Sequence, residues 1–289
     1  MAIETALLPQ YQKSAAFMER FLVAAHIEGS PIARTVNNQK IKLVDGAEID
    51  ADALNYFFDN SDAMRQEFTR DLRDRIGAAV FDEFCDVIAN EWFDGKRLRQ
   101  EGRSRRLKRS ILDYLKTLLP DSTSAGDLVQ ATDLPVDVKP LIPIEAVAAI
   151  ITVNDQMLYR HVEAWKERHP NSDALNNGEL FLRRGLALKT ELEPDVEYRE
   201  WDFINSYSIA FSAPERFSQM MKERKPAIVN GELALFGERV LFFSPFVPEM
   251  EVGQLELGII PSLAPLPIHC QGEHAGILEY ILDPAPYQI

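Results

Sequence analysis

Three short segments in the second half of the chain carry an arginine, a serine and a glutamate. Residues 182–186 read Leu-Arg-Arg-Gly-Leu, residues 206–208 read Ser-Tyr-Ser, and residues 254–256 read Gln-Leu-Glu. A guanidinium can bind a diphosphate through two parallel hydrogen bonds. A carboxylate can stabilise a positive charge that develops in a transition state. The three side-chain types are therefore suited to binding a phosphate-containing substrate and breaking one of its bonds.

Each segment also has an ordinary structural interpretation. The first predicts a buried strand with Arg183 or Arg184 at its polar end and a glycine that lets a ligand approach the backbone. The second predicts a strand followed by a helix that Ser212 caps. In the third, period-two alternation predicts that Gln254 and Glu256 share one face of a strand. That face borders either solvent or a cleft.

In combination, the three segments resemble the ADP-ribosyltransferase family of the Arg–Ser–Glu type, the cholera-toxin-like branch. The pattern of that family is an arginine strand, a Ser-Thr-Ser strand followed by a helix with a phenylalanine, and a strand ending in Glu-x-Glu or Gln-x-Glu. The matching residues of this chain are Arg184, Gly185, Ser206, Tyr207, Ser208, Phe217, Gln254 and Glu256. The resemblance covers about residues 179–283, with a tyrosine in the threonine place and Arg183 as the alternative motif arginine.

The resemblance implies that NAD is the substrate and that the bond between its nicotinamide and ribose is broken. Glu256 would stabilise the oxocarbenium-like cation, and Ser206 would hold Glu256 in position. Arg184 would bind the NAD phosphates beside Gly185. The other cofactor-binding residues that the motif implies are Ser208, Tyr207 and Phe217. The aromatic side chain that stacks on nicotinamide would be Phe217, Tyr207 or Phe211.

Gln254 determines which class of acceptor the resemblance implies. In this family the residue two positions before the catalytic glutamate faces the acceptor, and a glutamate there accompanies modification of arginine. A glutamine is not a base at ordinary pH, but it can donate and accept hydrogen bonds. We therefore expect mono-ADP-ribosylation of an acceptor other than arginine, either a protein side chain or a nucleobase. An NAD glycohydrolase, with water as the acceptor, would use the same residues.

The spacing of apolar residues predicts an α+β protein with two domains. Residues 1–175 read as a helical domain, and residues 176–289 read as a mixed-β domain. The resemblance implies that the second is the ADP-ribosyltransferase-like catalytic domain and that the first recognises a substrate or partner. The predicted elements are two helices in 51–92 that separate at 59–62, a helix at 104–119, a proline-rich linker at about 120–143, a helix at 144–169, and strand-like runs after 176 with one helix at 213–223.

The chain is acidic, with a formal net charge of −14, but one of its segments is strongly basic. Eight basic residues and one acid lie between Lys96 and Arg109. The acidic total argues against a general nucleic-acid binder, because contacts to phosphates need a basic surface. The segment Lys96–Arg109 is therefore either a contact for a nucleic-acid acceptor or a solvated helix face.

Composition places the chain among folded globular proteins, since 46% of its 289 residues are hydrophobic. Two cysteines are too few for a disulfide scaffold, and no spacing of Cys and His predicts a metal site. The first residues lack a basic signal-peptide region and no apolar run is long enough to span a membrane, so we expect a cytoplasmic protein with no membrane partner. Residues His269–His274, which include Cys270, predict a polar hairpin loop rather than a metal or nucleophile site.

The resemblance also has implications for biological role. Small intracellular enzymes of this kind include toxins and effectors of antiviral defence, and an inhibitory antitoxin is then an expected partner. The main alternative class is a non-catalytic helical adaptor, or a nucleic-acid-binding protein, in which the β domain is structural. Turnover of NAD separates the two classes.

Overall fold

The computed structural model describes residues 51–92, 102–118, 137–172, 175–176, 179–192, 197–198, 204–210, 212–221, 223–262, 266–274 and 276–282. Its architecture is α+β, as the sequence predicts, with helices in the first half and a mixed sheet after them. In the described part, no helix is long and apolar enough to cross a membrane.

Four helices precede the sheet in the described part. They are α1 (Ala51–Ile76), α2 (Ala78–Asp86, continued by a π-helical segment Val87–Trp92), α3 (Gly102–Leu118) and α4 (Ile144–Arg168). Each buries an apolar stripe, for example Leu107, Ile111 and Leu115 of α3.

The predicted helix break at 59–62 is wrong, because α1 continues through these residues. Their side chains bond back to the preceding turn, since Asn60 Nδ2 donates to Tyr56 O at 2.7 Å and Ser61 Oγ donates to Phe58 O at 2.8 Å. These are bonds within a helix rather than the N-cap bonds that would start a new one. The break comes instead at Gly77, whose φ of 81° lies in the left-handed region that glycine tolerates.

In the residues that the structure describes, seven strands form the main sheet, and two short strands extend it. The strands are β1 (Leu175–Asn176), β2 (Glu179–Leu188), β3 (Glu197–Tyr198), β4 (Asn205–Ser208), β5 (Lys225–Glu232), β6 (Val240–Phe243), β7 (Glu256–Ile259), β8 (Leu266–His274) and β9 (Ile277–Leu282). Their order is β3-β8-β9-β5-β2-β4-β7-β6, with β1 paired to β2. Among these described strands, β5 and β9 pair in parallel and the other pairs are antiparallel, so the sheet is mixed.

The two faces of the sheet are covered differently. The rings of Phe57 in α1 and Phe243 in β6 meet edge to face at 5.1 Å, and Asn154 of α4 donates to Leu241 O at 2.9 Å. The long helices therefore pack on one face, called here the helical face, and share one hydrophobic core with it. A short helix, α5 (Ser212–Ser218), packs on the opposite face against β2.

Two local predictions in the second half need correction. The helix predicted at 213–223 ends at Ser218, and Met220 N bonds Phe217 O in the turn that follows it. The segment His269–His274 belongs to strand β8 rather than to a loop, and a β-bulge between Cys270 and Gly272 accommodates its irregular sequence.

Candidate active site around Ser206 and Glu256

The three motif segments form three neighbouring strands, β2, β4 and β7. Arg183 is the register partner of Ser208, and Ser208 is the register partner of Glu256. Cross-strand partners point to the same face of a sheet, so these three side chains form one row across the strands. The row lies on the face opposite the long helices, because Leu257 and its partner Phe243 point the other way.

Ser206 and Glu256 are joined directly. The hydroxyl of Ser206 donates a hydrogen bond of 2.6 Å to Glu256 Oε1, and both side chains are half-buried. Ser206 is the register partner of Gly258, where an added Cβ would lie 2.1 Å from the Phe242 ring. The buried Phe242 ring therefore occupies the space beside Ser206, and one side of the serine–glutamate pair is apolar.

Backbone contacts fix the position at which Glu256 enters the strand. Glu256 N donates to Ser244 Oγ at 3.0 Å, and Ser244 N donates to Glu256 O at 2.8 Å. Ser244 is fully buried. No pattern in the sequence singles out this serine, because it stands apart from all three motif segments and becomes a neighbour of Glu256 only through the pairing of β6 with β7.

The turn before Glu256 breaks the alternation that the sequence predicts. Leu255 has a φ of 44°, in the left-handed region that a non-glycine residue rarely adopts. Its N–H donates to Val252 O at 2.8 Å and its carbonyl accepts from Ile209 N at 3.3 Å. Strand β7 therefore begins at Glu256, and Gln254 lies in the preceding turn, where its carbonyl accepts a hydrogen bond from Ser208 Oγ.

Arg183 is the motif arginine that shares a face with Glu256. Its side chain is 1% exposed, and Nη1 donates to Phe181 O and Ile209 O, each at 3.1 Å. Ile209 links this guanidinium to the turn before Glu256. Its carbonyl accepts from Arg183, and its N–H donates to Leu255 O.

The polar row continues beyond Arg183 into residues that the sequence did not single out. Asn230 of β5 is the register partner of Arg183, and its Nδ2 donates to Glu279 Oε2 at 2.7 Å. Burial raises the pKa of Glu279 to about 8, although the bond from Asn230 and the charge of Arg183 both act to lower it. A buried carboxyl group thus lies near the arginine on the side away from Glu256.

Two predicted cofactor residues point away from Glu256. Arg184 donates to Asn205 Oδ1, and its guanidinium carbon lies 5.9 Å from the centre of the Tyr207 ring. Tyr207 is fully buried against Phe236, with ring centres 4.5 Å apart. Because side chains alternate along a strand, Arg184 and Tyr207 lie on the helical face. The sheet therefore separates them from Glu256, which argues against the prediction that they bind NAD together with Glu256.

Gly185 serves close packing of a helix. A Cβ at this position would lie 1.8 Å from Pro214 O, so α5 rests directly on the backbone of β2. The sequence predicts that this glycine lets a ligand approach the backbone. In the structure, the element that approaches it is α5. The helix presents Phe217 at 46% exposure. Phe211 lies outside the described residues.

The basic segment is only partly described, since Lys96, Arg97 and Arg99 lie outside the described residues. Within α3, Arg103 contacts the carboxylates of Asp86 and Glu91, and Arg109 Nε lies 2.9 Å from Asp113 Oδ1. These cations are neutralised within the protein. Over the residues that the structure covers, no group of His, Cys, Asp and Glu is arranged to hold a metal ion.

Comparison with known proteins provides no relative. No protein-family model, no curated protein and no solved structure matches the chain.

Proposed function

We propose that the chain is an NAD-dependent mono-ADP-ribosyltransferase that modifies an acceptor other than arginine. The observation that carries the proposal is the 2.6 Å hydrogen bond from Ser206 to Glu256. The two residues are 50 positions apart in the sequence, and the resemblance to the transferase family assigns them linked roles before any geometry is known. Their contact on adjacent strands, beside the arginine strand, supports those roles.

The proposed reaction transfers ADP-ribose to an acceptor nucleophile. The bond between the ribose carbon and the nicotinamide nitrogen breaks, and nicotinamide leaves with the bonding electron pair. The acceptor then bonds to the ribose carbon and loses its proton. Positive charge develops on the ribose between these events, and a carboxylate placed beside it stabilises the transition state more than the ground state.

Glu256 would supply that carboxylate. Ser206 restricts its side chain through Oε1, and Ser244 holds its backbone on both sides. A preoriented carboxylate needs little reorganisation when the cation forms, which is the main source of electrostatic catalysis. The apolar ring of Phe242 beside Ser206 lowers the local dielectric and strengthens this interaction.

Arg183, rather than Arg184, would act with Glu256 in this proposal. Its guanidinium is committed to the carbonyls of Phe181 and Ile209, so we assign it a positioning role for the Leu255 turn. Its positive charge also makes this face of β2 favourable for the anionic diphosphate of NAD.

A protein acceptor fits the observations better than a nucleic acid. Arg103 and Arg109 of the basic segment contact carboxylates of this chain. Gln254, two residues before the candidate carboxylate, is half-buried, and its side-chain amide can hydrogen-bond an amide or a hydroxyl group but cannot deprotonate a guanidinium.

The proposal is tested with NAD labelled in its adenylate part and a whole-cell lysate. Wild type, Glu256→Gln and the matched control Glu273→Gln are incubated, and label is separated into protein, RNA, DNA and free ADP-ribose. Glu273 is an exposed residue of β8, so its variant makes the same charge change far from the site. We expect label in protein that falls at least about a hundredfold in Glu256→Gln and is unchanged in the control.

Two other outcomes have definite meanings. Free ADP-ribose that depends on Glu256, with no labelled polymer, would identify an NAD glycohydrolase instead. Equal NAD turnover in wild type and in a folded Glu256→Gln variant would overturn the enzymatic proposal and favour the non-catalytic binding class.

A further inference from the structure

A cavity of about 240 Å³ lies between α4 and the sheet, on the helical face. Val240 lines it and is the register partner of Ile259, which points away from the Ser206–Glu256 face. The cavity is therefore separated from the candidate active site by the thickness of the sheet. Its apolar wall comes from residues that are almost completely buried, namely Leu158, Val162, Leu180 and Val240.

The mouth of this cavity is acidic. Its lining includes four carboxylates, those of Asp155, Glu163, Glu179 and Glu238, and one amine, that of Lys166. Lys166 Nζ lies 2.9 Å from Glu163 Oε1, so the amine of the lining is paired with one of the four acids, and the charge of Arg239 also acts on Asp155. The remaining three carboxylates give the mouth a negative potential that favours a cation.

An aromatic ring stands at the same mouth. Tyr159 lines the cavity from α4 and is 70% exposed, which is unusual for a large side chain beside an apolar wall. The face of a tyrosine ring attracts an ammonium group placed within about 6 Å of its centre. Its exposure leaves the ring able to close over a bound molecule.

Asp155 forms a hydrogen bond with the backbone of the turn that precedes β6. Its carboxylate accepts a hydrogen bond from Glu238 N, and burial raises its pKa to about 6. This contact holds Glu238 beside the cavity with a φ of 61°, a conformation that a non-glycine residue seldom adopts. One of the four carboxylates, that of Asp155, is thus held in place by a tertiary contact.

We propose that this cavity binds a small organic cation, an amine carried on a compact apolar body. The apolar wall would take the body, and the carboxylates with Tyr159 would take the ammonium group. One water molecule, which has one non-hydrogen atom, takes up about 30 Å³ in the liquid. By that measure the cavity has room for a ligand of on the order of ten non-hydrogen atoms. This site goes beyond the proposed transferase activity and does not depend on it.

The test uses 2-phenylethylamine as the probe and the full chain as the protein. Its neutral analogue 2-phenylethanol and its anionic analogue 3-phenylpropionate have nearly the same size. Calorimetric titration should show that the amine binds at least about tenfold more tightly than the alcohol, with no measurable binding of the anion. Equal affinities for amine and alcohol would overturn the assignment of a cation site.

Variants then locate the binding. Glu238→Gln and Tyr159→Ala should each weaken amine binding at least threefold, whereas Glu273→Gln, with the same charge change on β8, should leave it unchanged. Ala234, an exposed residue at the cavity, allows a filling variant. Ala234→Trp should abolish amine binding with no change in the melting temperature. Full binding by that variant, or equal weakening in Glu238→Gln and Glu273→Gln, would show that the amine binds elsewhere. No NAD is present, so the result is separate from that of the transferase assay.

Discussion

Arg183 and Arg184 are consecutive residues of one strand, and their side chains lie on opposite faces of the sheet. Arg183 shares a row with Ser208 and Glu256, whereas Arg184 bonds Asn205 among the residues of the helical face. Two consecutive arginines in a strand thus place one guanidinium on each face of the sheet. The two residues are chemically identical, so paired substitutions separate their contributions.

We expect Arg183→Lys to lower NAD turnover at least about tenfold. Lysine keeps the charge, but its side chain is shorter and lacks the planar guanidinium whose Nη1 donates to both Phe181 O and Ile209 O, and Ile209 in turn holds the Leu255 turn before Glu256. Arg184→Lys should leave turnover per folded molecule within about twofold, because its contacts lie across the sheet. A steady-state assay with both variants, corrected for folded fraction by circular dichroism, decides the matter. A larger loss for Arg184→Lys would reverse the assignment.

A second prediction concerns the close packing of α5 against the backbone of β2. Gly185→Ala places a methyl group 1.8 Å from Pro214 O and 2.7 Å from Pro214 C, and a backbone neighbour cannot move as a flexible side chain can. We expect the free energy of unfolding to fall by about 1–3 kcal/mol. Urea unfolding measures the change.

The control for this prediction is Gly253→Ala. At Gly253 an added Cβ meets nothing within 4 Å, and its φ is not in the left-handed region. This variant should unfold within about 0.5 kcal/mol of wild type. If Gly185→Ala were equally stable, α5 would have to sit further from β2 than the structure places it.

Local sequence patterns predict most of the helices. They fail where the hydrogen-bond partner of a side chain decides the structure. Apolar spacing predicted α3 and α4 to within two residues because each helix buries a continuous stripe. The break at Gly77 was missed because Asn60 and Ser61 are common helix caps, and nothing local shows that they bond backward instead.

Some residues of the candidate site can be predicted from the sequence, and others cannot. Ser206 and Glu256 were predicted as partners from the family resemblance, and the hydrogen bond between them is present. Ser244, Asn230 and Glu279 could not be predicted, because each joins the row through a strand pairing that the sequence does not specify. The Gln254–Glu256 alternation failed because one left-handed residue, Leu255, interrupts the period of two.

A third prediction is that stability falls as pH rises through neutrality. The pKa of Glu279 is raised from 4.5 to about 8 by burial, so the folded protein holds a proton that the unfolded chain releases between these values. Unfolding then becomes easier by about 1.4 kcal/mol for each pH unit in this window. Asp155, raised from 3.8 to about 6, adds to the fall only below about pH 6.

The window between pH 6.5 and 8 isolates Glu279. His161, whose pKa is lowered by burial from 6.5, acts with the opposite sign, but only at lower pH. Glu279→Gln should flatten the dependence of urea unfolding on pH from 6.5 to 8, and Glu273→Gln should not. The same slope in wild type and Glu279→Gln would mean that Glu279 is already ionised in the folded protein, with Arg183 compensating its charge.

The last prediction asks whether Ser206 positions Glu256 for chemistry or only stabilises the sheet. Ser206→Ala removes the 2.6 Å bond to Oε1, and the carboxylate then samples orientations that do not face the substrate. We expect kcat for NAD turnover to fall about tenfold, which corresponds to about 1.4 kcal/mol in the barrier, while KM changes by less than about threefold. Because Ser206 is half-buried, the free energy of unfolding should change by no more than about 1.5 kcal/mol.

The conservative variant Ser206→Thr separates the two roles. It keeps the hydroxyl and adds a methyl group on a strand, where β-branched residues are tolerated. Recovery of kcat in Ser206→Thr but not in Ser206→Ala would assign the effect to the hydrogen bond with Glu256. Two variants with equal loss of kcat and equal loss of stability would assign it to packing beside Phe242 instead, and the serine would then have no positioning role.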